Sequence, residues 1–144
     1  MQRELNIASH SEEQTMELAR KLAPHLRDPE VVVLTGALGS GKTVFVRGLA
    51  TALGIKEHLV RSASFMMVNE YPGPKPLFHF DLYRLGDPSE LYELGWDEYL
   101  GREGLFVVEW GEKAGDHLPA RYYQIRFTII AEHQRDISVL LIQP

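Results

Sequence analysis

No cysteine occurs among the 144 residues. Disulfides, thiolate chemistry and cysteine-ligated zinc are therefore excluded. Long apolar runs are lacking too: stretches such as Val31-Val32-Val33-Leu34 are far too short to cross a bilayer. The opening Met1-Gln2-Arg3-Glu4-Leu5-Asn6 has no apolar signal core, so the expectation is a soluble, cytoplasmic protein. Positive charge is in short supply, with 15 Lys+Arg against 20 Asp+Glu and a net charge of −5. Such a chain is poorly suited to wrapping long nucleic acid by phosphate charge alone, although a local basic patch remains open. There is no repeat at a fixed period and no low-complexity segment. What is present is ordinary for a globular protein: 44% hydrophobic and 24% charged residues, enough to bury a core. The length suits one compact domain over residues 1–144.

Periodicity sketches an α/β protein. Ser9-His10-Ser11-Glu12 reads as a capping box, with Ser9 as N-cap and Glu12 as its reciprocal partner. Leu18, Ala19, Leu22, Ala23 and Leu26 then recur at helical spacing, with Arg20 and Lys21 on the other side. Residues 31–34 form a β-branched run that suits a strand buried on both faces. A glycine-rich loop follows, then a helix from about Lys42 to Leu53, with Gly54 placed to cap its C-terminus. Residues 65–71 and 77–82 read as a hairpin around Pro72-Gly73-Pro74-Lys75-Pro76. Asp87-Pro88-Ser89-Glu90 is a helix start, and residues 105–108 are a second buried strand. Tyr123, Ile125, Phe127 and Ile129 alternate with Gln124, Arg126 and Thr128, and Ile137, Val139 and Leu141 repeat the pattern. The expected fold is α/β: a single three-layer domain with a mixed, mostly parallel sheet and a C-terminal antiparallel hairpin.

The loop carries the chemistry. Gly36-Ala37-Leu38-Gly39-Ser40-Gly41-Lys42-Thr43 fits G-x-x-x-x-G-K-[ST] at every defined position. Average residue usage gives such a match by chance in roughly one chain of this length in a few hundred, and here strand, loop and helix also follow in order. Glycines let successive N–H groups curl around an anion, and the helix points its positive end at the same place. Lys42 is placed to reach β- and γ-phosphates, and Thr43 to offer its hydroxyl to Mg²⁺. Neither Asn-Lys-x-Asp nor Asp-x-x-Gly occurs, which favours ATP over GTP.

A P-loop ATPase also needs carboxylates beyond the loop. Asp81 ends the 77–80 strand and Glu109 ends the 105–108 strand, where an open α/β sheet presents ligand groups. The plainer alternatives are a loop acid or helix cap for Asp81 and a surface acid for Glu109. Arg84 is placed to pair with a phosphate or with Asp81, and a structural ion pair is an equal reading. Tyr83 and Trp110, which flank the two acids, are more often core or interface anchors than stacking platforms. The six histidines show no metal-ligand spacing.

These residues together resemble a known family. Gly36 to Thr43, Ser62-Ala63-Ser64-Phe65, Asn69-Glu70-Tyr71, His79-Phe80-Asp81-Leu82-Tyr83-Arg84-Leu85 and Val108-Glu109-Trp110 are similar, in order and spacing, to the TsaE (YjeE) family. That family comprises small bacterial P-loop ATPases required for threonylcarbamoyl modification of the adenosine next to the anticodon in tRNA. The likeness runs from about residue 5 to residue 142. It implies ATP/ADP and Mg²⁺ as cofactors, with nucleotide contacts from Gly36, Leu38, Gly39, Ser40, Gly41, Lys42, Thr43 and Val44. Thr43, Glu109 and Asp81 would hold the metal, and Asp81 would order or activate the attacking water. Ser64 would stand near the γ-phosphate as a switch-like hydroxyl, and Trp110 would serve the site or a partner contact. Further nucleotide contacts are implied for Glu12, Thr15 and Arg135. The implied partners are a sugar-kinase-like catalytic subunit (TsaD) and its inactive paralogue (TsaB), reset by ATP hydrolysis, with tRNA touched only indirectly. The chain departs from the family pattern at Ala63 and Ser64 (commonly Pro and Thr), at Ala37 (usually Asp) and at Gly111 (usually Pro). None of these removes a group that the phosphate chemistry needs. Two other readings stay open: a small P-loop kinase, for which no lid-like insertion rich in arginine is evident, and a non-hydrolysing ATP-sensing module.

Overall fold

The computed structural model describes residues 4–56, 59–60 and 67–144. The strands are β1 (Glu4–Ser9), β2 (Val31–Gly36), β3 (Val68–Tyr71), β4 (Leu77–Asp81), β5 (Leu105–Glu109), β6 (Tyr122–Ala131) and β7 (Gln134–Ile142). They form one sheet in the order β1-β7-β6-β2-β5-β4-β3. The middle is parallel, through the β6–β2, β2–β5 and β5–β4 ladders, and the antiparallel pairs lie on the wings. The α-helices are α1 (Glu12–Leu22), α2 (Lys42–Ala52), α3 (Glu90–Glu93) and α4 (Trp96–Leu100), with 3₁₀ segments at Ala23–His25 and Gly111–His117.

Period-two alternation in the central strands builds the two faces of this sheet. Val32, Leu34, Leu77, Leu105 and Val107 pack with Ala19, Phe45, Leu49 and Ala50 under α1 and α2. Val33, Phe78, Phe80, Phe106 and Val108 face the other way, against Leu91 and Trp96 of α3 and α4 and against Ala114. The three layers and the mixed sheet expected from the sequence are present, as is the β6–β7 hairpin.

The start of α1 differs from expectation. Its N-cap is Ser11, whose hydroxyl accepts from Gln14 N at 3.1 Å, while Gln14 Oε1 accepts from His10 N at 2.7 Å. Ser9 is unavailable because it ends β1, paired in register with Arg135 of β7. β1 itself was not apparent in the sequence, being a six-residue edge strand in which Leu5 remains half exposed. The helix expected to start at 87–90 starts at its end: 87–89 form a turn, with Asp87 N donating to Glu90 Oε1 at 3.2 Å and Ser89 N to Asp87 Oδ1 at 2.9 Å, and regular helix begins at Glu90. Regular helix is brief there, broken at Gly95 (φ +78°) and resumed at Trp96. Gly54 takes φ +82° just past α2, in keeping with its capping role. The first part of the 65–71 strand falls on residues outside those described. Ile129 continues the alternation of β6 but is 45% exposed where Ile125 and Phe127 are buried.

Candidate functional site

The carboxyl ends of β2, β4 and β5 converge on one cavity. Parallel pairing puts Asp81 directly beside Glu109, and Glu109 beside Leu34, two residues before the glycine-rich loop begins. Backbone bonds hold the strand ends together: Leu82 N donates to Glu109 O at 3.1 Å, and Asp81 N to Met67 O at 2.8 Å. Asp81 and Glu109 alternate with Phe80 and Val108, so they fall on the α1/α2 side of the sheet.

The loop wraps over that side. Gly36, Gly39 and Gly41 all take positive φ, at +149°, +78° and +104°. At Gly36 a Cβ would lie 2.8 Å from both Phe127 O and Ser40 Oγ, so the close approach of loop to β6 requires glycine. Lys42 opens α2 and turns inward. Its ammonium donates to Gly36 O at 2.7 Å and sits 3.9 Å over the ring of Trp110. Trp110 adopts left-handed backbone (φ 60°), stacks obliquely on Tyr83 at 5.2 Å and packs against the aromatic core. The anchor reading and the site reading therefore both apply to it.

The resulting cavity has a volume of about 340 Å³ and is lined by Leu38, Gly39, Gly41, Lys42, Thr43, Val44, Asp81, Glu109, Trp110, Glu12, Tyr83 and Arg84. This is a size suited to a small molecule. A second cavity of about 140 Å³ adjoins it across the loop, lined by Ser40, Glu12, Thr15, His133 and Arg135 among others.

Electrostatics and donor chemistry narrow what fits. Burial pushes the Lys42 ammonium below its ordinary range, against the pull of Glu109, Asp81 and Glu112. Burial likewise pushes the Asp81 carboxyl up, helped by the charge of Glu109 and opposed by the Tyr83 N–H bond, His79 and Lys42. An anion that reaches Lys42 restores the favoured charge on that ammonium. The cavity's candidate metal donors are all oxygens: the carboxylates of Asp81, Glu109 and Glu12 and the hydroxyl of Thr43. Among the described residues no group of three or more His, Asp or Glu could hold a metal alone. A hard cation that keeps waters and shares phosphate oxygens, as Mg²⁺ does, fits such a sparse set.

The residues singled out from the sequence thus divide. Leu38, Gly39, Gly41, Lys42, Thr43, Val44, Asp81 and Glu109 line the main cavity, whereas Ser40 and Thr15 line only the second. Glu12 lines both. Gly36 is not among the residues lining either cavity; its carbonyl accepts from Lys42. Thr15 has its hydroxyl bonded to Ser9 Oγ at 2.7 Å. Arg135 braces the loop, donating to Gly39 O at 3.3 Å and to carbonyls of its own hairpin. Ser64 lies outside the described residues. One residue was missed: His79, fully buried, whose Nε2 is 2.6 Å from Glu109 Oε2. Its position two before Asp81, on the same strand face, was the available signal.

A family model described as "Threonylcarbamoyl adenosine biosynthesis protein TsaE" matches residues 9–137. The chain belongs to the TsaE family. It is 36% identical over 135 residues to the TsaE protein of Treponema pallidum, covering 94% of this chain and 99% of that one. It is 46% identical over 109 residues to that of Aquifex aeolicus, covering 74% and 77%. The crystal structure of Bacillus subtilis YdiB superimposes with a TM-score of 0.78 at 30% identity, covering 99% of this chain and 88% of that one. Membership places the chain among proteins of threonylcarbamoyl adenosine biosynthesis, as the resemblance implied. Among the described residues no helix is long and apolar enough to cross a membrane.

Proposed function

We propose that the chain is a Mg²⁺-dependent ATPase that serves threonylcarbamoyl modification of tRNA by resetting the catalytic heterodimer of TsaD and TsaB. The observation that carries this reading is the seating of Lys42, inside one cavity with Asp81, Glu109 and Thr43 at the end of a parallel sheet.

The loop N–H groups and the N-terminus of α2 cradle the phosphates, and the nucleoside end extends toward the second cavity. On arrival of the triphosphate, Lys42 leaves the Gly36 carbonyl and the Trp110 ring for the β- and γ-phosphate oxygens. Thr43, Glu109 and Asp81 would hold Mg²⁺, and the bound ion would neutralise charge on the phosphate oxygens. Asp81 orients the attacking water and accepts its proton. The water oxygen bonds to the γ-phosphorus as the bond to the β–γ bridging oxygen breaks, leaving ADP and phosphate. Lys42 stabilises the charge that grows on that leaving oxygen.

The test is phosphate release from ATP by the purified protein, alone and with the heterodimer added, beside a Glu109→Ala control. Slow release that rises with the heterodimer and vanishes in the control is expected. Absence of stimulation at any heterodimer concentration overturns the resetting role. Transfer of the phosphate to another acceptor would favour a kinase, and ATP binding without turnover would favour a sensor.

A further inference from the structure

The proposed chemistry leaves one buried titratable side chain unused. β4 reads Leu77-Phe78-His79-Phe80-Asp81 and is buried along its whole length. An imidazole in such a strand costs free energy unless its nitrogens find partners, and apolar residues would fill the same space without that cost. Period two places His79 on the face shared by Asp81 and Glu109, away from the aromatic cluster of Phe78 and Phe80. Its register partner on β5 is Val107, so it reaches Glu109 diagonally, one pleat further along. There its Nε2 meets Glu109 Oε2 at 2.6 Å, with the two side chains 0% and 4% exposed. Among the described residues Nδ1 has no hydrogen-bond partner. Within that set the Glu109 contact is thus the one side-chain hydrogen bond holding this ring. The Lys42 ammonium, meanwhile, goes to the Gly36 carbonyl.

We infer that His79 is a positioning residue for Glu109. Its Nε2–H donates to Oε2, fixes the rotamer of the carboxylate and leaves Oε1 for the cavity. A glutamate so anchored does not swing onto the Lys42 ammonium, and both groups remain available to phosphate and metal. Outer partners of this kind, which orient a carboxylate that itself holds a metal, typically change affinity or activity about 10- to 100-fold when removed. The inference rests on the ATPase reading above and adds to it a residue that touches neither nucleotide nor metal.

The test uses the full chain with His79→Leu, His79→Gln and His79→Asn, alone and in a Glu109→Ala background. Gln carries its amide nitrogen near the Nε2 position and can donate to Glu109; Asn ends near Nδ1 and cannot reach; Leu fills volume without donating. Three quantities are read: ADP affinity in EDTA, the Mg²⁺ concentration that half-restores ATP binding, and turnover. His79→Leu and His79→Asn are expected to keep ADP affinity in EDTA while the Mg²⁺ requirement rises about 10-fold or more and turnover falls alongside. His79→Gln should stay within about threefold of the parent, and none of the three should change the Glu109→Ala protein further. If His79→Leu does not fold, the contrast between Gln and Asn still decides whether the donated bond matters. Equal losses in Gln, Asn and Leu together with lost ADP affinity in EDTA would overturn the inference in favour of plain packing. So would an unchanged Mg²⁺ requirement in Asn and Leu, or undiminished effects in the Glu109→Ala background. A parent protein that turns over ATP while His79→Leu matches it sinks this inference alone. A parent that neither binds nor hydrolyses ATP sinks the ATPase reading and this one with it.

Discussion

The two sides of the central sheet are made from the same strands and do opposite work. On the α3/α4 side, β4 and β5 present Phe78, Phe80, Phe106 and Val108. Phe80 stacks on Phe106 at 4.9 Å, and Trp96 meets both rings edge-on at 5.1 and 4.9 Å, its indole N–H satisfied by His117 O. On the α1/α2 side the alternate positions of those strands join apolar Leu77, Leu105 and Val107 to polar His79, Asp81 and Glu109, and Lys42 faces the two acids from the start of α2. All of these are buried. One face gains stability from aromatic burial and geometry. The other accepts the cost of buried charge where the site needs it. A shift of one residue in β4 or β5 would exchange the two faces.

This contrast can be broken most forcefully from the aromatic side. Trp96→Ala should cost about 3–5 kcal/mol, read as a lowered midpoint in urea, because it opens a cavity beside the stacked rings of Phe80 and Phe106. ATP affinity of the protein that remains folded at low temperature should not change. Loss of affinity in parallel with stability would mean the two faces are not separable.

A smaller effect is expected within the functional side's own scaffold. Gly48 lies where α2 crosses α1, and a Cβ there would sit 2.4 Å from Met16 O and 2.6 Å from Ala19 Cβ. Replacing a helical glycine by alanine ordinarily gains about 0.5–1 kcal/mol. Here the clash with backbone wins, and Gly48→Ala should destabilise by about 1–3 kcal/mol. A thermal midpoint equal to or above that of the parent would show that the helices can separate freely.

The smallest effect has the most diagnostic sign. The folded state raises the Asp81 carboxyl above its ordinary value of 3.8, chiefly through burial, so the ionised form is a native-state penalty at neutral pH. Asp81→Asn should therefore raise the thermal midpoint at pH 8 while turnover falls. The gain should shrink as pH drops through the raised value, because the native carboxyl then takes up its proton. It should be absent below 3.8, where folded and unfolded chains both hold that proton. A midpoint gain that is constant with pH would contradict this origin.

Much of the site was legible in the sequence because its parts are local. The loop, Asp81 and Glu109 each follow a short buried strand whose pattern is complete within a few residues. What was hidden depends on distant pairing. β1 exists because β7 offers it an edge, and its own alternation is weak. The α1 cap was misplaced by two residues for the same reason, since Ser9 belongs to that strand. His79 acquires its meaning from a residue 30 positions away, where only the assembled sheet reveals the contact. Arg135, for which the resemblance implies a nucleotide contact, lines the second cavity and also donates to the Gly39 carbonyl 96 residues away, a bond that only the assembled fold reveals.

The central claim is that the polar side of the sheet's carboxyl end is an ATP site organised by Lys42. Equilibrium binding of ATP with Mg²⁺ to the parent and to Lys42→Ala, with thermal midpoints measured on the same samples, tests it directly. The account predicts saturable binding of one ATP per chain by the parent, its loss in Lys42→Ala, and closely matched midpoints without nucleotide. Equal binding by the two proteins, or none by a folded parent, would contradict it.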